Sequence, residues 1–335
     1  MTDRGKIDAA LFERVIAPNL GAARDDVTIG PTPGIDFGAL DLGSKTLVGA
    51  TDPLSVLPEL GLERAGRLAI DIVLADVAVS GIAPSHLTLA MTLPETFTAD
   101  ELAETWKGIG AHAATFDVAI LDVHIGRYPS VNSSWIGSGT AFGLGDQADI
   151  VRPDGAQPGD AIVISTGPAA EVAGLFATLY PESLGLDPET VALAQERVDD
   201  IFAVGDALAA HDAGRLTAMH DATEGGIAGG LVEMATGAGV RFDIEREAVP
   251  VADGVTAVCD AIDVDPWHVT SCGSLLMTMP PGNAQAVVRA LEARDTAAAV
   301  VGEVQAGESV YVDSNRLQAP DRDPSWAAAE RLAGE

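Results

Sequence analysis

The stretch His220 to Leu231 reads "HDATEGGIAGGL". It joins a short apolar strand, "LTAMHD", to a helix that opens with Gly225, Gly226, Gly229 and Gly230. Glycine in a helix interior costs about 1 kcal/mol against alanine, so four cost roughly 3–4 kcal/mol. Gly225/Gly229 and Gly226/Gly230 are i,i+4 pairs and leave a bare strip along the first turns. Such a strip suits a helix that another backbone or a ligand approaches closely. Asp221 and Glu224 form a capping-box pattern with Asp221 in the cap role, which accounts for the acids and not for the glycines. A helix start is also a natural anion site. The acids would repel a bare phosphate, but acids and phosphates coexist when Mg2+ bridges them. The stretch points to nucleotide with magnesium, although it is neither a Walker loop nor a G-x-G-x-x-G fingerprint.

Strands and helices alternate around this segment. "AIVISTG" leads into the helix "PAAEVAGLFATLY", and one long helix is expected over about Glu189 to Ala213. "VRFDIE", "SLLMTMP", "AAVVGEV" and "SVYVD" read as strands, with helices near Ala252–Ile262 and Asn283–Arg294. In the first half, a helix and entry loop reach Arg24. Two short strands then flank a "DLGSK" turn, the second expected to end at Thr51-Asp52 because Pro53 stops it. A helix runs from about Glu63 to Ser80, where Gly81 and Pro84 end it. His86 to Leu93 alternates, with Leu87, Leu89, Met91 and Leu93 on one face. Thr98 opens a further helix through the capping box "TADE", with Leu102, Trp106, Ile109 and Ala113 as its buried stripe. "VAILDVHI" and "WIGSGTAFGLG" are the next strands. The polar, proline-bearing stretch "DQADIVRPDGAQPGD" marks a boundary. The expectation is an α/β (α+β) chain of two domains, residues 1–150 and 151–335.

The 335 residues carry a formal charge of −31, with the acids spread along the chain and only three lysines, Lys6, Lys45 and Lys107. This pattern reads as a haloarchaeal cytoplasmic protein whose surface stays hydrated in concentrated salt; an acidic mesophile is the alternative. Such a charge argues against nucleic-acid and anionic-membrane partners, an argument that multimolar salt weakens by screening. The N-terminus lacks the apolar core of a signal peptide. The apolar run Leu68–Leu93 is broken by Asp71, Asp76, Pro84 and His86, so no membrane span is expected. Cys259 and Cys272 stand in no C-x-x-C pair and read as core thiols.

Five places carry candidate chemistry. Asp76 falls in the apolar stripe Ala65, Leu68, Ala69, Ile72, Val73, Val79 of its helix, so its carboxylate needs a cation, a metal or several donors. An arginine partner or a position at the stripe's edge is the structural alternative. Thr51 and Asp52 in "GATDPLS" offer a hydroxyl and a carboxylate at a strand end, a usual place for metal or phosphate and also ordinary turn chemistry. Asp36 lies in a loop between Gly34 and Gly38. His124, expected at a strand end, has Asp122 two residues earlier on the same face. Asp221 heads the glycine-rich helix.

In the order "GIDFGAL", "GATDPLS", "LADVAVSGIAP", "LDVHIG", "PGDAIVIST…E", "HDATEGGIAGGLVEMA" and "DPWHVTSCGSLLMTMPP", the chain resembles the PurM-like ATP-binding superfamily over nearly its whole length. That superfamily includes aminoimidazole ribonucleotide (AIR) synthase, thiamine-monophosphate kinase, selenophosphate synthetase and the hydrogenase-maturation protein HypE; the chain looks most like the archaeal, AIR synthase-related, HypE-like branch. The resemblance implies a two-domain fold whose N-terminal domain lends strands to a β-barrel shared across a homodimer, with a C-terminal α/β domain. It implies ATP and Mg2+ as cofactors, a small-molecule substrate, and metal or phosphate contacts at Asp36, Asp52, Asp76 and Asp221. Thr51, Gly225 and Gly226 would border the nucleotide, and Asp76, His124 and Asp221 would serve catalysis. The family chemistry is phosphorylation of an oxygen, or activation of an amide or carbonyl oxygen so that it can leave.

The sequence also departs from the pattern. HypE proteins end in a cysteine that carries the carbamoyl group, whereas this sequence ends "ERLAGE", which counts against the HypE carrier reaction. No cysteine precedes Cys259, unlike selenophosphate synthetases. Ile35 and Ala75 replace polar residues of relatives, and "DVHIG" keeps only the histidine of a Gly-Gly-His-Thr-Glu motif. The expected function is ATP/Mg-dependent phosphoryl transfer of kinase or dehydratase type. Thiamine-monophosphate kinase proper and a nucleotide-binding maturation or regulatory protein with little catalysis stand as alternatives.

Overall fold

The computed structural model describes residues 5–7, 9–129, 131 and 134–334, apart from the side chain of residue 135. The chain forms two compact units. One comprises Arg24–Thr32 and Asp36–Ile150; the other comprises Val151–Glu335 with Met1–Ala23 and Pro33–Ile35. The break after Ile150 lies within the polar boundary stretch. The segment before Arg24 clusters with the second unit, which differs from a first domain spanning 1–150.

The first unit is a six-stranded sheet in the order β1-β2-β3-β6-β4-β5. Its strands are β1 (Val27–Ile29), β2 (Gly38–Asp41), β3 (Thr46–Val56), β4 (Pro84–Leu93), β5 (Ala119–Arg127) and β6 (Ser134–Gly145). All neighbours are antiparallel except β4 and β5. A short turn α1 (Ala9–Leu11) precedes them in the chain, and α2 (Leu62–Ala78) and α3 (Ala99–Thr115) complete this half. The alternation of β4 is as expected: Leu87, Leu89, Met91 and Leu93 are all buried. The Thr98 capping box is present, with Glu101 N–H donating to Thr98 Oγ1 at 3.2 Å and Thr98 N–H donating to Glu101 Oε2 at 2.7 Å.

Two glycines bring α2 and α3 together. A Cβ on Gly66 would collide with the Thr105 carbonyl, and one on Gly108 with the Glu63 carbonyl. This close crossing covers α2 on a second side, so 12 of its 17 residues are buried. Pro53 does not end β3, which runs on to Val56 with Pro53 opposite Ser138. Beyond Gly49 only β6 accompanies β3, and a proline is tolerated where a strand has an open side.

The second unit is a seven-stranded sheet in the order β13-β12-β9-β11-β7-β10-β8. Its strands are β7 (Ala161–Ser165), β8 (Ala218–Asp221), β9 (Arg241–Ile244), β10 (Leu275–Met279), β11 (Ala298–Gln305), β12 (Ser309–Val312) and β13 (Asn315–Leu317). Its helices are α4 (Ala170–Leu179), α5 (Pro188–Gln195), α6 (Val204–Ala213), α7 (Gly226–Ala238), α8 (Val255–Ala261), α9 (Pro281–Glu292) and α10 (Pro324–Ala333). Only β9 and β12 pair in parallel, so this half is α+β. Every residue of β7, β8 and β10 is buried, which explains the largely apolar runs of β7 and β10, while β8 ends in the buried polar pair His220 and Asp221.

The expected single helix Glu189–Ala213 is instead α5, a 3-10 stretch Glu196–Ile201, and α6. Val198 and Ile201 are both buried, and a period of three stacks them on one side. Gly174 of α4 makes room there, since a Cβ on it would lie 2.5 Å from Val198 N. Tertiary packing thus overrides a locally good helix. Cys259 and Cys272 are buried thiols outside any disulfide, and burial beside Asp260 and Asp265 pushes the Cys259 thiol up to about 12. Among the described residues no helix is long and apolar enough to cross a membrane.

Candidate functional site

In the second unit, β10 runs antiparallel to both β7 and β8, with Leu276 opposite both Ile164 and His220. The end of β7, the end of β8 and the start of β10 therefore share one edge of the sheet. The loops 166–170, 222–225 and 270–274 converge there, and such loop clusters at strand ends are where α/β sheets hold ligands. Thr166 Oγ1 donates to the Gly273 carbonyl at 3.0 Å, and Ala169 N–H donates to Ser271 Oγ at 2.8 Å. Ser274 Oγ donates to the Gly167 carbonyl, and Ala222 N–H to the Ser274 carbonyl. Thr166, Gly167 and Ala169 all have positive φ (62°, 86° and 57°), a strained conformation for the two that are not glycine.

Glu171, in the first turn of α4, faces the same cluster. Its Oε2 accepts from Thr270 Oγ1 at 2.7 Å and from Cys272 N–H at 2.9 Å. Burial pushes its carboxyl above the ordinary glutamate value despite these donors, and the neighbouring Asp323 adds to the rise. Asp323 is itself buried; its Oδ2 accepts from Gly225 N–H at 2.9 Å, and its Oδ1 accepts from Ser325 N–H to cap α10.

Asp221 does not cap α7. Gly225 occupies the cap position at φ +83° with no side-chain cap, and Glu224 accepts from Lys6 N–H instead of closing a box. The β8–α7 turn places Gly225 and Gly226 both at positive φ, and a left-handed pair leaves Asp221 outside the helix start. Asp221 is 4% exposed, and its Oδ1 receives no hydrogen bond among the described residues. That oxygen lies 3.7 Å from His220 Nδ1, while His220 Nε2 donates to Glu233 Oε2 at 3.0 Å. A buried carboxylate oxygen left open in this way is a hard donor suited to Mg2+.

The glycine strip divides in two. A Cβ on Gly226 would lie 2.5 Å from the Val269 carbonyl oxygen and 2.6 Å from that of Trp267, and one on Gly230 would lie 2.6 Å from Leu276 Cδ1. Gly226 and Gly230 therefore serve the chain's own packing. Gly225 and Gly229 remain uncrowded, with nearest atoms at 3.7 Å and 3.4 Å.

In the first unit, the sheet sorts the candidates onto two faces. Register places Thr51, Thr140, Thr88 and Asp122 in one row and Pro53, Ser138, Ala90 and His124 in the next row of the same face. Thr51 Oγ1 and Thr140 Oγ1 share a hydrogen bond of 2.5 Å. His124 stands in the middle of β5 and not at its end; it is exposed and bonds Tyr128 Oη at 3.0 Å. Three strand spacings, about 14 Å, separate the Thr51 column from that of His124. The structure gives these two residues a common face but no contact.

Asp52 lies on the opposite face, between buried Ala50 and Leu54 and opposite Gly139, where Val73 of α2 also packs. Asp76 is three residues after Val73, about 60° around the helix, and so belongs to the sheet-facing side of α2. It is 6% exposed and sits in the last turn, where the helix dipole disfavours an anion and favours a cation beside it. Asp71 points the other way, toward α3, and its Oδ1 meets His112 Nε2 at 2.6 Å. Asp36 follows the Gly34 turn (φ +79°) and is half-buried beside buried Phe37.

Sequence reasoning missed the Asp71–His112 pair and Asp323, and it took in Glu171 only as the closing residue of "PGDAIVIST…E", without a role. A glutamate in a first turn reads as a complement to the helix dipole. Nothing local shows that a threonine 99 residues later donates to it.

The AIR synthase related protein N-terminal domain family matches residues 34–144, and the C-terminal domain family of the same name matches residues 157–315. The carbamoyl dehydratase HypE of Rhizobium leguminosarum bv. viciae is 30% identical over 277 residues, covering 80% of this chain and 75% of that protein. The crystal structure of E. coli HypE, a hydrogenase maturation protein, superposes with a TM-score of 0.71 at 25% identity, covering 86% of this chain and 92% of that one. A hydrogenase maturation protein HypE in complex with ATP matches with a TM-score of 0.67 at 23% identity, covering 88% and 92%.

Proposed function

The chain belongs to the AIR synthase-related family, and from that premise we propose that it is an ATP- and Mg2+-dependent enzyme that activates an oxygen of a small substrate by phosphoryl transfer. The observation that carries this reading is Asp221 Oδ1, a buried carboxylate oxygen that receives no hydrogen bond among the described residues, at the strand end before the glycine-rich helix. One HypE structure is a complex with ATP, which supports the nucleotide, and the HypE relative is a carbamoyl dehydratase, which favours a dehydratase-type reaction over a kinase-type one.

In this reading Asp36, Asp52, Asp76 and Asp221 are each candidate metal or phosphate contacts, because all are hard oxygen donors. Bound Mg2+ would neutralise charge developing on the transferred phosphoryl group. The half-exposed Gly225 turn would face the polyphosphate, while Gly226 lets that turn pack tightly against the backbone at Val269 and Trp267. Thr51 offers a hydroxyl to the nucleotide, and His124 a ring nitrogen to the substrate. His220, anchored by Glu233, keeps its Nδ1 3.7 Å from the Asp221 carboxylate. We further propose a cytoplasmic homodimer formed through the sheet of the first unit, whose edge strand β5 exposes Leu121 and Val123.

The test is equilibrium binding of Mg·ATP to the purified chain in high salt, followed by ATP turnover with carbamoyl and phosphorylatable substrates, repeated with Asp76→Ala. Binding with turnover that Asp76→Ala abolishes is expected. No nucleotide binding refutes the reading, and binding without turnover on any substrate favours a non-catalytic maturation protein.

A further inference from the structure

Within the second unit, most of the ties between the 166–170 and 270–274 loops come from groups that do not titrate. Thr166 Oγ1 donates to the Gly273 carbonyl, Ser274 Oγ to the Gly167 carbonyl, and Ala169 N–H to Ser271 Oγ, which itself donates to the Val269 carbonyl. Helix α4 starts without a side-chain cap, because its cap position is Ala169 in a left-handed conformation. The next tie is charged: Glu171 Oε2 accepts from Thr270 Oγ1 at 2.7 Å and from Cys272 N–H at 2.9 Å. The helix start favours the anionic form of Glu171. Burial and Asp323 oppose it and hold the carboxyl above the ordinary glutamate range.

Asp323 holds the neighbouring loop. It is buried, and its Oδ2 accepts from Gly225 N–H at 2.9 Å in the β8–α7 turn. Asp323 is the charge that acts on Glu171, and the Cys272 thiol is the other titratable group that reaches it. Charged groups on the elements around α4 have other partners. Arg197 pairs with Asp200 and Glu196, Asp187 caps α5, and Arg331 of α10 donates to the Ile262 carbonyl. Asp260 and Asp265 lie beside Cys259. Two like carboxyls thus stand together, one gripping each loop, and like charges in a buried place repel.

We propose that Glu171 is a positioning residue that couples the 270–274 loop to the β8–α7 turn, its carboxyl fixing Thr270 and Cys272 beside the Asp323 carboxyl that fixes Gly225. A neutral Glu171 still accepts at its carbonyl oxygen, so the tie to Thr270 and Cys272 survives protonation. When Glu171 releases its proton to solvent, repulsion from Asp323 sets in and both loops loosen together. This goes beyond the nucleotide reading and does not depend on it.

The experiment follows amide hydrogen exchange of segments 222–226 and 270–274 in full-length wild type, Glu171→Gln and Asp323→Asn, corrected for the intrinsic exchange rate at each pH. From about pH 5 to about pH 8 the wild type is expected to lose about tenfold protection in both segments. Glu171→Gln keeps the acceptor and removes the charge, so both segments are expected to stay protected across that range. Asp323→Asn removes the repulsion and is expected to flatten the loss at 270–274 and to lower the titration midpoint of the Glu171 carboxyl carbon, read by NMR. Wild-type protection that does not change with pH overturns the proposal without recourse to any variant. So does a loss at 222–226 that is equal in wild type and Glu171→Gln, or a Glu171 midpoint that stays put in Asp323→Asn.

Discussion

Alanine at Gly226 and at Gly229 should move stability in opposite directions, although both lie in one glycine-rich turn. Gly226 has φ +65°, a conformation that costs an L-residue about 1–2 kcal/mol. Its new Cβ would also stand 2.5 Å and 2.6 Å from two carbonyl oxygens of the backbone at Val269 and Trp267. Those oxygens belong to a buried segment that cannot swing away as a flexible side chain would, and overpacking of this kind costs about 1–3 kcal/mol. The sum is about 2–5 kcal/mol. For a unit of this size each kcal/mol corresponds to about 2–4 °C, so Gly226→Ala should lower the melting temperature by at least roughly 4 °C. Gly229 is helical, and the nearest atom to its Cβ is the Glu224 carbonyl oxygen at 3.4 Å. Gly229→Ala should therefore stabilise the apo chain by about 0.5–1 kcal/mol, and it should weaken Mg·AMP-PCP binding if the nucleotide approaches this turn closely. Differential scanning calorimetry of the apo proteins, followed by nucleotide titration, reads both effects. A Gly226→Ala protein as stable as wild type would refute the packing argument; a Gly229→Ala protein with unchanged nucleotide affinity would refute a close approach of the nucleotide to this turn.

Two further predictions concern groups that the fold, and not the local sequence, brings together. Burial raises the Glu171 carboxyl above its unfolded value, so the folded state binds the proton more tightly. Stability from this group is then greatest at low pH and is lost as pH rises from the ordinary glutamate range through the raised folded value. Glu171→Gln should be more stable than wild type at about pH 8, with the advantage vanishing below about pH 4.3; urea titrations across that range check the sign. His112→Ala removes the ring that meets Asp71 and packs edge-on against Phe116 at 5.2 Å. Breaking a buried pair from one side costs about 3–5 kcal/mol, and the urea midpoint of the variant should fall accordingly.

The elements with strong local signals were legible in the sequence. The α2 and α3 helices, the β4 alternation and the Thr98 box follow from periodicity and capping within a few residues. The burial of Asp76 follows from its place in the stripe, because helical geometry fixes which residues share a face. Where neighbours distant in sequence decide, local reasoning failed. Pro53 looked like a strand end until β6 paired through it. Asp221 looked like a helix cap until two positive-φ glycines moved the helix start to Gly226. The run from Glu189 looked like one helix until Val198 and Ile201 packed against α4 through Gly174.

By itself the sequence determined that a glycine-rich helix follows a buried strand and that a carboxylate lies in the core stripe of α2. It left the four glycines as one undivided strip, because spacing along a helix says which residues share a face and not what faces them. Only the tertiary structure separated Gly226 and Gly230, pressed against the chain's own backbone and side chains, from Gly225 and Gly229, whose neighbours stand at ordinary contact distance. Only the tertiary structure brought Lys6, Glu171 and Asp323 around the same loops. The physical reason is common to both: a close approach or a charge pair is a property of two segments, and here those segments lie far apart in the chain.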